Sequence, residues 1–326
     1  MSIVERAIKK LQSQQPAAAT EPQRANVDTV SRRRASPPTE PLAPRTPIDS
    51  GARVDSGARA PVAPAIVRRP DKTIGLDRHA LRTAGLLPPE HQERQIQNQY
   101  RQIKRPLIAN ALGKNAPAVP NGHLIMVASA MPGEGKTFTS MNLALSMAVE
   151  KDISVLLVDA DVAKPHISTL LGLQNEPGLL DALQNELLDV ESLVIGTDVE
   201  GLSILPAGRR NETATELLAS ARMEEVVVQL ARGNDTRIVL FDSPPLLLTS
   251  ESRVLSAVVG QIVLVVRSGF TAQHAVLDAI GHLPEGKSTG IVLNQCDVEQ
   301  ESRYYYGYGS YGSSVGADER EAGEKQ

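Results

Sequence analysis

Cysteine, aromatic residues and long apolar runs are scarce in this 326-residue chain, and each scarcity excludes a class of protein. The single cysteine, Cys296, cannot form a disulfide within the chain, so a secreted disulfide-rich domain is excluded. No segment approaches the roughly 18 apolar residues that a membrane-spanning helix requires, and the charged N-terminal segment does not match a signal peptide. We therefore expect a cytoplasmic protein. Since there is no tryptophan and there are three phenylalanines, Val, Leu, Ile and Ala must form most of the core.

Proline and charge divide the chain into parts of different character. The first 120 residues contain 15 of the 22 prolines, with 20 Lys and Arg against 10 Asp and Glu, whereas the remaining residues contain 14 Lys and Arg against 28 Asp and Glu. A basic, Pro-rich segment with few large apolar residues cannot bury enough surface to fold. The sequence therefore predicts an amphipathic helix at residues 1–14, a disordered basic linker at 15–92, a globular domain at 93–298 and a flexible tail at 299–326.

Beyond residue 121 the pattern predicts an α/β fold. Apolar, β-branched runs alternate with helical stretches, and because these runs are continuous they indicate strands covered on both faces, as in a doubly wound, mostly parallel sheet. A further helix is expected at residues 90–104, ending before Pro106. The predicted strands are 123–129, 153–159, 202–205, 237–242, 261–267 and 289–294, and the predicted helices are 136–150, 215–232, 250–259 and 271–282.

The strongest motif lies between the first of these strands and the first long helix. Residues 130–137 read Ala-Met-Pro-Gly-Glu-Gly-Lys-Thr, a P-loop with alanine in place of the first glycine. Gly133 and Gly135 allow the backbone to direct its N–H groups at phosphate oxygens, and the following helix directs its positive N-terminus at the same place. We expect the Lys136 ammonium to reach the β- and γ-phosphates and the Thr137 hydroxyl to bind Mg²⁺. The predicted cofactors of this P-loop NTPase fold are therefore ATP and Mg²⁺.

Carboxylates follow two of the other predicted strands. Asp242 ends the run Ile-Val-Leu-Phe-Asp, a Walker B strand whose carboxylate holds Mg²⁺ directly or through water. Asp159 and Asp161 end another apolar run, with one residue between them. Because the carboxyl ends of the strands in an α/β sheet open onto the crevice that holds the ligand, we expect the three carboxylates to lie together beside the P-loop.

Five of the six tyrosines lie within eight residues near the C-terminus. Glycine and serine separate them, so this segment is expected to be flexible enough to enter an active site. Phosphorylation would add about −1.5 to −2 charge per tyrosine, and the resulting repulsion would release the tail and loosen any assembly. The predicted sites of autophosphorylation are Tyr304, Tyr305, Tyr306, Tyr308 and Tyr311.

Together these motifs resemble those of the bacterial tyrosine kinases. The resemblance covers roughly residues 94–311, and it is carried by the P-loop at 132–137, by Asp-Ala-Asp continuing to Lys164-Pro165, by Asp242-Ser-Pro-Pro and by the terminal tyrosines. It extends to Leu-Pro-Ala-Gly at 205–208 and to Glu-Leu-Leu at 216–218. The start Ser-Ile-Val-Glu-Arg-Ala and the segment Ile-Lys-Arg-Pro-Leu further resemble the autokinase subgroup encoded with exopolysaccharide and exosortase loci.

The resemblance implies a protein-tyrosine autokinase with defined residue roles. Asp159 would be the base for the incoming tyrosine hydroxyl, which makes physical sense because a hydroxyl with a pKa near 10 is a poor nucleophile at neutral pH. The implied catalytic residues are Asp159, Asp161 and Lys136, and the implied metal ligands are Thr137, Asp161 and Asp242. The implied nucleotide contacts are Pro132, Gly133, Glu134, Gly135, Lys136, Thr137, Phe138 and Asn294, the last of them near the adenine.

The resemblance also implies partners. Family members without membrane helices are activated by the cytosolic tail of a separate chain-length-determinant membrane protein, which implies a location at the inner membrane through that partner and a role in exopolysaccharide biosynthesis. No nucleic-acid partner is expected. The family's Glu-x-x-Arg-x-x-Arg motif, which joins subunits into a ring, is altered here to Asn98, Arg101 and Lys104. Because lysine lacks the bidentate pairing of arginine, self-association would need other contacts.

Two other functions are compatible with a P-loop α/β domain. A positioning ATPase of the MinD/ParA class shares the fold and both Walker strands, but Met131 and Pro132 stand where that class has its early signature lysine. A nucleotide-dependent scaffold that binds ATP without transferring phosphate also stays open. The tyrosine cluster and the intact Lys136, Thr137, Asp159 and Asp242 favour the kinase.

Overall fold

The structure, a computed structural model, describes residues 70–113, 119–231 and 236–296. The predicted helix at 1–14, residues 15–69 of the predicted linker and the tyrosine-rich tail lie outside these ranges. Among the helices of the described ranges, none combines the length and the apolar character needed to cross a membrane.

A single sheet of eight strands lies at the centre of the described residues. In chain order its strands are β1 (Thr73–Ile74), β2 (Leu124–Ser129), β3 (Ser154–Asp159), β4 (Ile195–Thr197), β5 (Leu202–Leu205), β6 (Arg237–Asp242), β7 (Gln261–Arg267) and β8 (Ser288–Asn294). Their order across the sheet is β1-β4-β5-β3-β6-β2-β7-β8, and every neighbouring pair is parallel except β4 with β5. The central strands are buried almost throughout, as continuous apolar runs predict for a sheet covered on both faces.

Helices cover both faces of this sheet. They are α1 (Arg78–Thr83), α2 (Glu93–Leu112), α3 (Lys136–Ala148), α4 (His166–Leu170), α5 (Leu179–Gln184), α6 (Ala214–Leu218), α7 (Ala221–Ala231), α8 (Glu251–Val258) and α9 (Gln273–Gly281). Helices α1 to α4 share one core with the sheet, in which Tyr100, Leu107 and Met141 are buried. Helices α5 to α9 share the core on the other face, with Leu179 and Met223. The predicted doubly wound, mostly parallel α/β fold is confirmed.

The predicted end of the N-terminal helix before Pro106 is wrong. Helix α2 continues through Pro106 to Leu112 and ends at Gly113, which has a left-handed conformation. Proline removes one helical hydrogen bond and normally ends or kinks a helix. Here Tyr100 and Leu107, on either side of the proline, are both buried against the same core, so tertiary packing outweighs the missing bond.

The predicted linker extends too far, because the described residues from 70 onward are ordered into secondary structure. Strand β1 pairs in parallel with β4, and α1 follows it with Asp77 as an N-cap that accepts a hydrogen bond from the Ala80 N–H. The apolar residues Leu76, Leu81, Leu86 and Leu87 are buried in the core shared with α2 and α3. A few well-spaced leucines thus suffice to anchor a segment whose composition predicts disorder.

Several short elements were missed or merged by the sequence patterns. Strand β4 and the helices α4 and α5 have three to six residues each, too few for a periodic pattern to be recognised. The helix predicted at residues 215–232 is two helices, α6 and α7. The chain turns between them at Ser220, whose hydroxyl donates to the Leu217 carbonyl and so competes with the helical backbone bonds.

Candidate active site

The P-loop connects β2 to α3 at the carboxyl edge of the sheet, as predicted. Gly133 and Gly135 have φ angles of 79° and 91°, in the left-handed region that favours glycine. A Cβ atom at Gly135 would lie 2.0 Å from the Asn294 amide nitrogen, so a side chain here would also displace the Asn294 amide. Helix α3 begins at Lys136, immediately after Gly135, and its N-terminus therefore faces the loop.

Side chains from elsewhere in the chain hold this loop in shape. Glu134 is buried, its Oε2 accepts from the Met131 N–H at 2.8 Å, and its Oε1 accepts from the Thr271 hydroxyl. The Asn294 amide donates to the Glu134 carbonyl at 2.9 Å, and the Gln295 amide donates to the Gly133 carbonyl at 3.4 Å. The side chains of Glu134 and Asn294, both predicted as nucleotide contacts, are thus engaged with the loop itself.

The three predicted carboxylates come from neighbouring strand ends. Asp159 ends β3 and Asp242 ends β6, and the two residues are register partners in the parallel ladder, both with 0% of their surface exposed. Asp161 follows β3, and its carboxylate forms an ion pair with the Lys136 ammonium, with Nζ 3.0 Å from Oδ2. The structure therefore brings the three predicted carboxylates together with Lys136.

Asp159 has two differently situated carboxylate oxygens. Its Oδ2 accepts hydrogen bonds from both the N–H and the hydroxyl of Ser168, each at 2.7 Å, whereas its Oδ1 is buried without a hydrogen-bond partner among the described residues. Burial, together with the nearby negative charge of Asp242, raises the pKa of Asp159 to about 7 despite the two bonds from Ser168. No pattern in the sequence indicates Ser168, which lies in the short helix α4.

Asp242 also has one carboxylate oxygen that accepts a hydrogen bond, here from the P-loop helix α3, and one that has no hydrogen-bond partner among the described residues. Its Oδ1 accepts from the Ser140 hydroxyl at 3.0 Å, and its Oδ2 is buried with no hydrogen bond to any part of the chain that the structure describes. Burial raises the pKa of Asp242 to about 6, although the Lys136 charge lowers it. Ser140 lies three residues after Thr137 on α3, so a helical spacing from the P-loop could have identified it.

These residues fit Mg²⁺ and the phosphates of ATP. Two buried carboxylate oxygens, Oδ1 of Asp159 and Oδ2 of Asp242, have no hydrogen-bond donor in the described ranges, which is costly unless a cation or a hydroxyl approaches them. Mg²⁺ prefers one or two carboxylates together with substrate phosphates and water. The glycine-shaped loop and the N-terminus of α3 supply N–H groups for the phosphates.

A cavity of about 690 Å³ lies beside the P-loop, between α2 and the end of β8. Phe138, Gly135 and Asn294 line it on the P-loop side. Tyr100 also lines it and packs on Phe138, with ring centroids 6.5 Å apart. Tyr100 is buried in the core of this face, which raises its pKa to about 12, so this tyrosine is a packing residue. The five tail tyrosines lie outside the described residues.

The altered ring motif on α2 makes contacts within the chain. Arg101 donates to the Asn98 side chain at 3.1 Å. The Lys104 side chain is 7% exposed, bonds the Ser146 carbonyl and pairs with Glu150 at 2.8 Å, which ties α2 to α3 and its C-terminal turn. Lysine at this position therefore serves the internal packing of the domain.

Comparisons with known proteins agree with this site. The AAA domain family matches residues 122–281. The tyrosine-protein kinase YwqD of Bacillus subtilis is 34% identical over 186 residues, which are 56% of this chain and 77% of that kinase. The chain belongs to the bacterial tyrosine kinase family. It is accordingly an enzyme of the protein-tyrosine kinase class, built on a nucleotide-binding P-loop domain.

Other members of the family match a similar share of this kinase. The tyrosine-protein kinase ptk of Acinetobacter johnsonii is 29% identical over 56% of this chain, which spans only 24% of that longer relative. The crystal structure of the VpsO kinase domain superposes with a TM-score of 0.52 at 27% identity and covers 64% of this chain and 100% of that domain. The shared part is therefore the kinase domain, without the additional length of the longer relatives.

Proposed function

We propose that this kinase transfers the γ-phosphoryl group of ATP to tyrosine hydroxyls, first within its own tail. The observation that carries the proposal is the buried Asp159 carboxylate, whose Oδ1 has no hydrogen-bond partner among the described residues and which lies one strand from Asp242. In this reaction the tyrosine oxygen bonds to the γ-phosphorus, the bond from that phosphorus to ADP breaks, and the hydroxyl proton passes to Asp159. The proposed acceptors are Tyr304, Tyr305, Tyr306, Tyr308 and Tyr311.

Asp159 is suited to the role of base. Ser168 fixes one carboxylate oxygen by two hydrogen bonds and leaves Oδ1 to accept the proton. Burial raises the pKa of Asp159 to about 7, and a general base is most effective when its pKa is near the working pH. A surface aspartate with a pKa near 4 would be a weaker acceptor for a phenolic proton.

The remaining side chains would bind and orient the nucleotide. Lys136, which pairs with Asp161 at 3.0 Å in this structure, would instead contact the β- and γ-phosphates when ATP is present. Thr137, Asp161 and Asp242 would hold Mg²⁺, which neutralises the charge of the phosphates during transfer. Asn294 would shape the P-loop through the Glu134 carbonyl, and a contact of Asn294 with the adenine stays a prediction.

The test is phosphosite mapping by mass spectrometry after incubation of the full chain with Mg-ATP. We expect phosphate on the tail tyrosines of the wild type, none in Lys136→Met, and none in Asp159→Asn, which should retain ATP binding. Asp152→Asn is the matched control, because Asp152 is exposed in the turn before β3 and should leave the activity unchanged. Unchanged phosphotransfer in Asp159→Asn would remove Asp159 from the role of base.

The resemblance to exopolysaccharide autokinases supports a further part of the proposal. The segments Ser-Ile-Val-Glu-Arg-Ala and Ile-Lys-Arg-Pro-Leu carry that resemblance, so we propose that a chain-length-determinant membrane protein activates this kinase at the inner membrane during exopolysaccharide biosynthesis. Addition of the cytosolic tail of such a protein should increase the rate of tail phosphorylation. ATP hydrolysis without phosphotyrosine, even with this activator, would favour a positioning ATPase instead.

A further inference from the structure

An arginine near the proposed base is held with its charge directed to solvent. Arg209 follows β5, and its backbone N–H and its side-chain Nε both donate to the Asp181 carboxylate, at 3.1 Å and 2.7 Å. The Asp181 side chain is 7% exposed, whereas that of Arg209 is 70% exposed. Its terminal nitrogens have no hydrogen bond to any described residue, so they are available to an anion from outside.

Asp181 is itself fixed, and this makes Arg209 a preorganised group. The Gly178 N–H donates to the same carboxylate at 2.9 Å. Although burial raises the pKa of Asp181, the hydrogen bonds from Gly178 and Arg209 bring it below its ordinary value, so the carboxylate stays ionised. An arginine whose Nε side is already bound loses little further side-chain entropy when its terminal nitrogens bind a carboxylate.

The position of Arg209 points to the protein acceptor and away from the nucleotide. The Ser168 hydroxyl donates to Asp159 and accepts from the Ala207 N–H at 3.0 Å, so the loop that contains Arg209 is joined to the proposed base. In the strand order, β5 lies next to β3 and three strands from β2, which leads to the P-loop. At roughly 4.8 Å per strand, β5 is about 14 Å from the strand that leads to the P-loop, on the far side of Asp159.

We propose that Arg209 binds a carboxylate of the acidic segment that presents the acceptor tyrosines, and so selects acidic tyrosine-bearing peptides as substrates. The occupant we propose is segment 297–311 of a second copy of this chain, in which Asp297, Glu299 and Glu301 precede Tyr304 and a single arginine, Arg303, leaves a net charge of −2. This inference rests on the proposed tyrosine phosphorylation and adds the specificity of that site.

The test measures binding and phosphorylation of a synthetic peptide of residues 297–311. The protein is the full chain with its own Asp297, Glu299 and Glu301 changed to the corresponding amides, so that its tail does not compete with the peptide. In this background Arg209→Ala should raise both the Kd of the labelled peptide, measured by fluorescence anisotropy, and the KM for its phosphorylation roughly fivefold, as expected for a solvent-accessible ion pair. The KM for ATP should not change.

Two controls separate a specific contact from a general effect of charge. Arg210→Ala removes the same charge from the next residue, which is exposed, and should change the Kd less than twofold. A peptide with Asn and Gln in place of Asp297, Glu299 and Glu301 should bind the Arg209 protein weakly, and Arg209→Ala should not weaken it further. The comparison of the two peptides stays valid even if Arg209→Ala lowers the thermal stability, because both peptides are measured against the same variant protein.

Three results would overturn the inference. One is an unchanged Kd in Arg209→Ala, another is an equal loss in Arg210→Ala, and the third is a raised KM for ATP, which would place Arg209 at the nucleotide. Failure of this inference can be told apart from failure of the proposed function, because a protein without transfer activity would still bind the peptide with a Kd that depends on Arg209.

Discussion

Substitution of the proposed base should stabilise the nucleotide-free protein while abolishing its activity. Asp159 is fully buried, and Oδ1 lacks a partner in the described ranges. Its pKa is raised from 3.8 to about 7. A carboxyl whose pKa is raised in the folded state holds its proton longer there than in the unfolded chain, so folding stability falls as pH rises from about 4 to about 7. Asparagine cannot ionise, and Asp159→Asn should therefore remove this loss.

The magnitude follows from the size of the shift. About three pKa units correspond to roughly 4 kcal/mol of penalty on the ionised carboxylate at pH 8. Asparagine accepts the Ser168 hydrogen bonds less strongly than a carboxylate does, which costs about 1–1.5 kcal/mol. We expect a net gain of about 2–3 kcal/mol at pH 8, and at pH 5 little or no gain, because there the folded wild type keeps its proton and the penalty that asparagine removes is small.

The assay is urea denaturation of the nucleotide-free wild type and Asp159→Asn at pH 5 and pH 8. The midpoint of the variant should exceed that of the wild type at pH 8, and the difference should shrink at pH 5. Asp152→Asn, at an exposed position, should show no such pH dependence. A stability difference that is the same at both pH values would refute the reasoning, since it would mean that Asp159 is not destabilised by its charge.

Two further substitutions test the loop that supports the base. Gly178→Ala should lower the free energy of unfolding by more than about 3 kcal/mol in urea denaturation, because its Cβ would lie 2.1 Å from the Pro206 carbonyl oxygen and backbone cannot move aside easily; a loss below 1 kcal/mol would contradict this close approach. Ser168→Ala should cost about 1–3 kcal/mol in the same assay, since it leaves the Ala207 N–H without its acceptor and removes a donor from Asp159. An unchanged midpoint would show that these bonds contribute nothing to stability.

The central part of the fold could be predicted because its signals are local and strong. The strands that end at Asp159 and Asp242 and the glycine-rich loop before Lys136 each have a continuous pattern, and parallel pairing then places their ends together. The positions of the three predicted carboxylates follow from this rule alone. Their environments did not, because a pKa depends on burial and on partners that are distant in the chain.

The features that the sequence missed depend on single contacts between distant residues. Ser168 bonds Asp159, and Arg209 bonds Asp181 across 28 residues, without any periodicity that marks either pair. The ordered segment from residue 70 was missed because composition describes an average, whereas a few buried leucines and a two-residue strand determine its structure. Pro106 shows the opposite case, in which a strong local signal for a helix end is overruled by packing.

The order of strands also determines how far apart the two extensions of the chain leave the domain. Strand β1, which follows the N-terminal arm, and strand β8, which precedes the tail, are the two edges of the sheet. Seven strand spacings of roughly 4.8 Å separate them by about 34 Å. The residue that leads into β1 and the residue that follows β8, the first and last that the structure describes, therefore lie beside opposite edges, and the width of the sheet sets the separation between them.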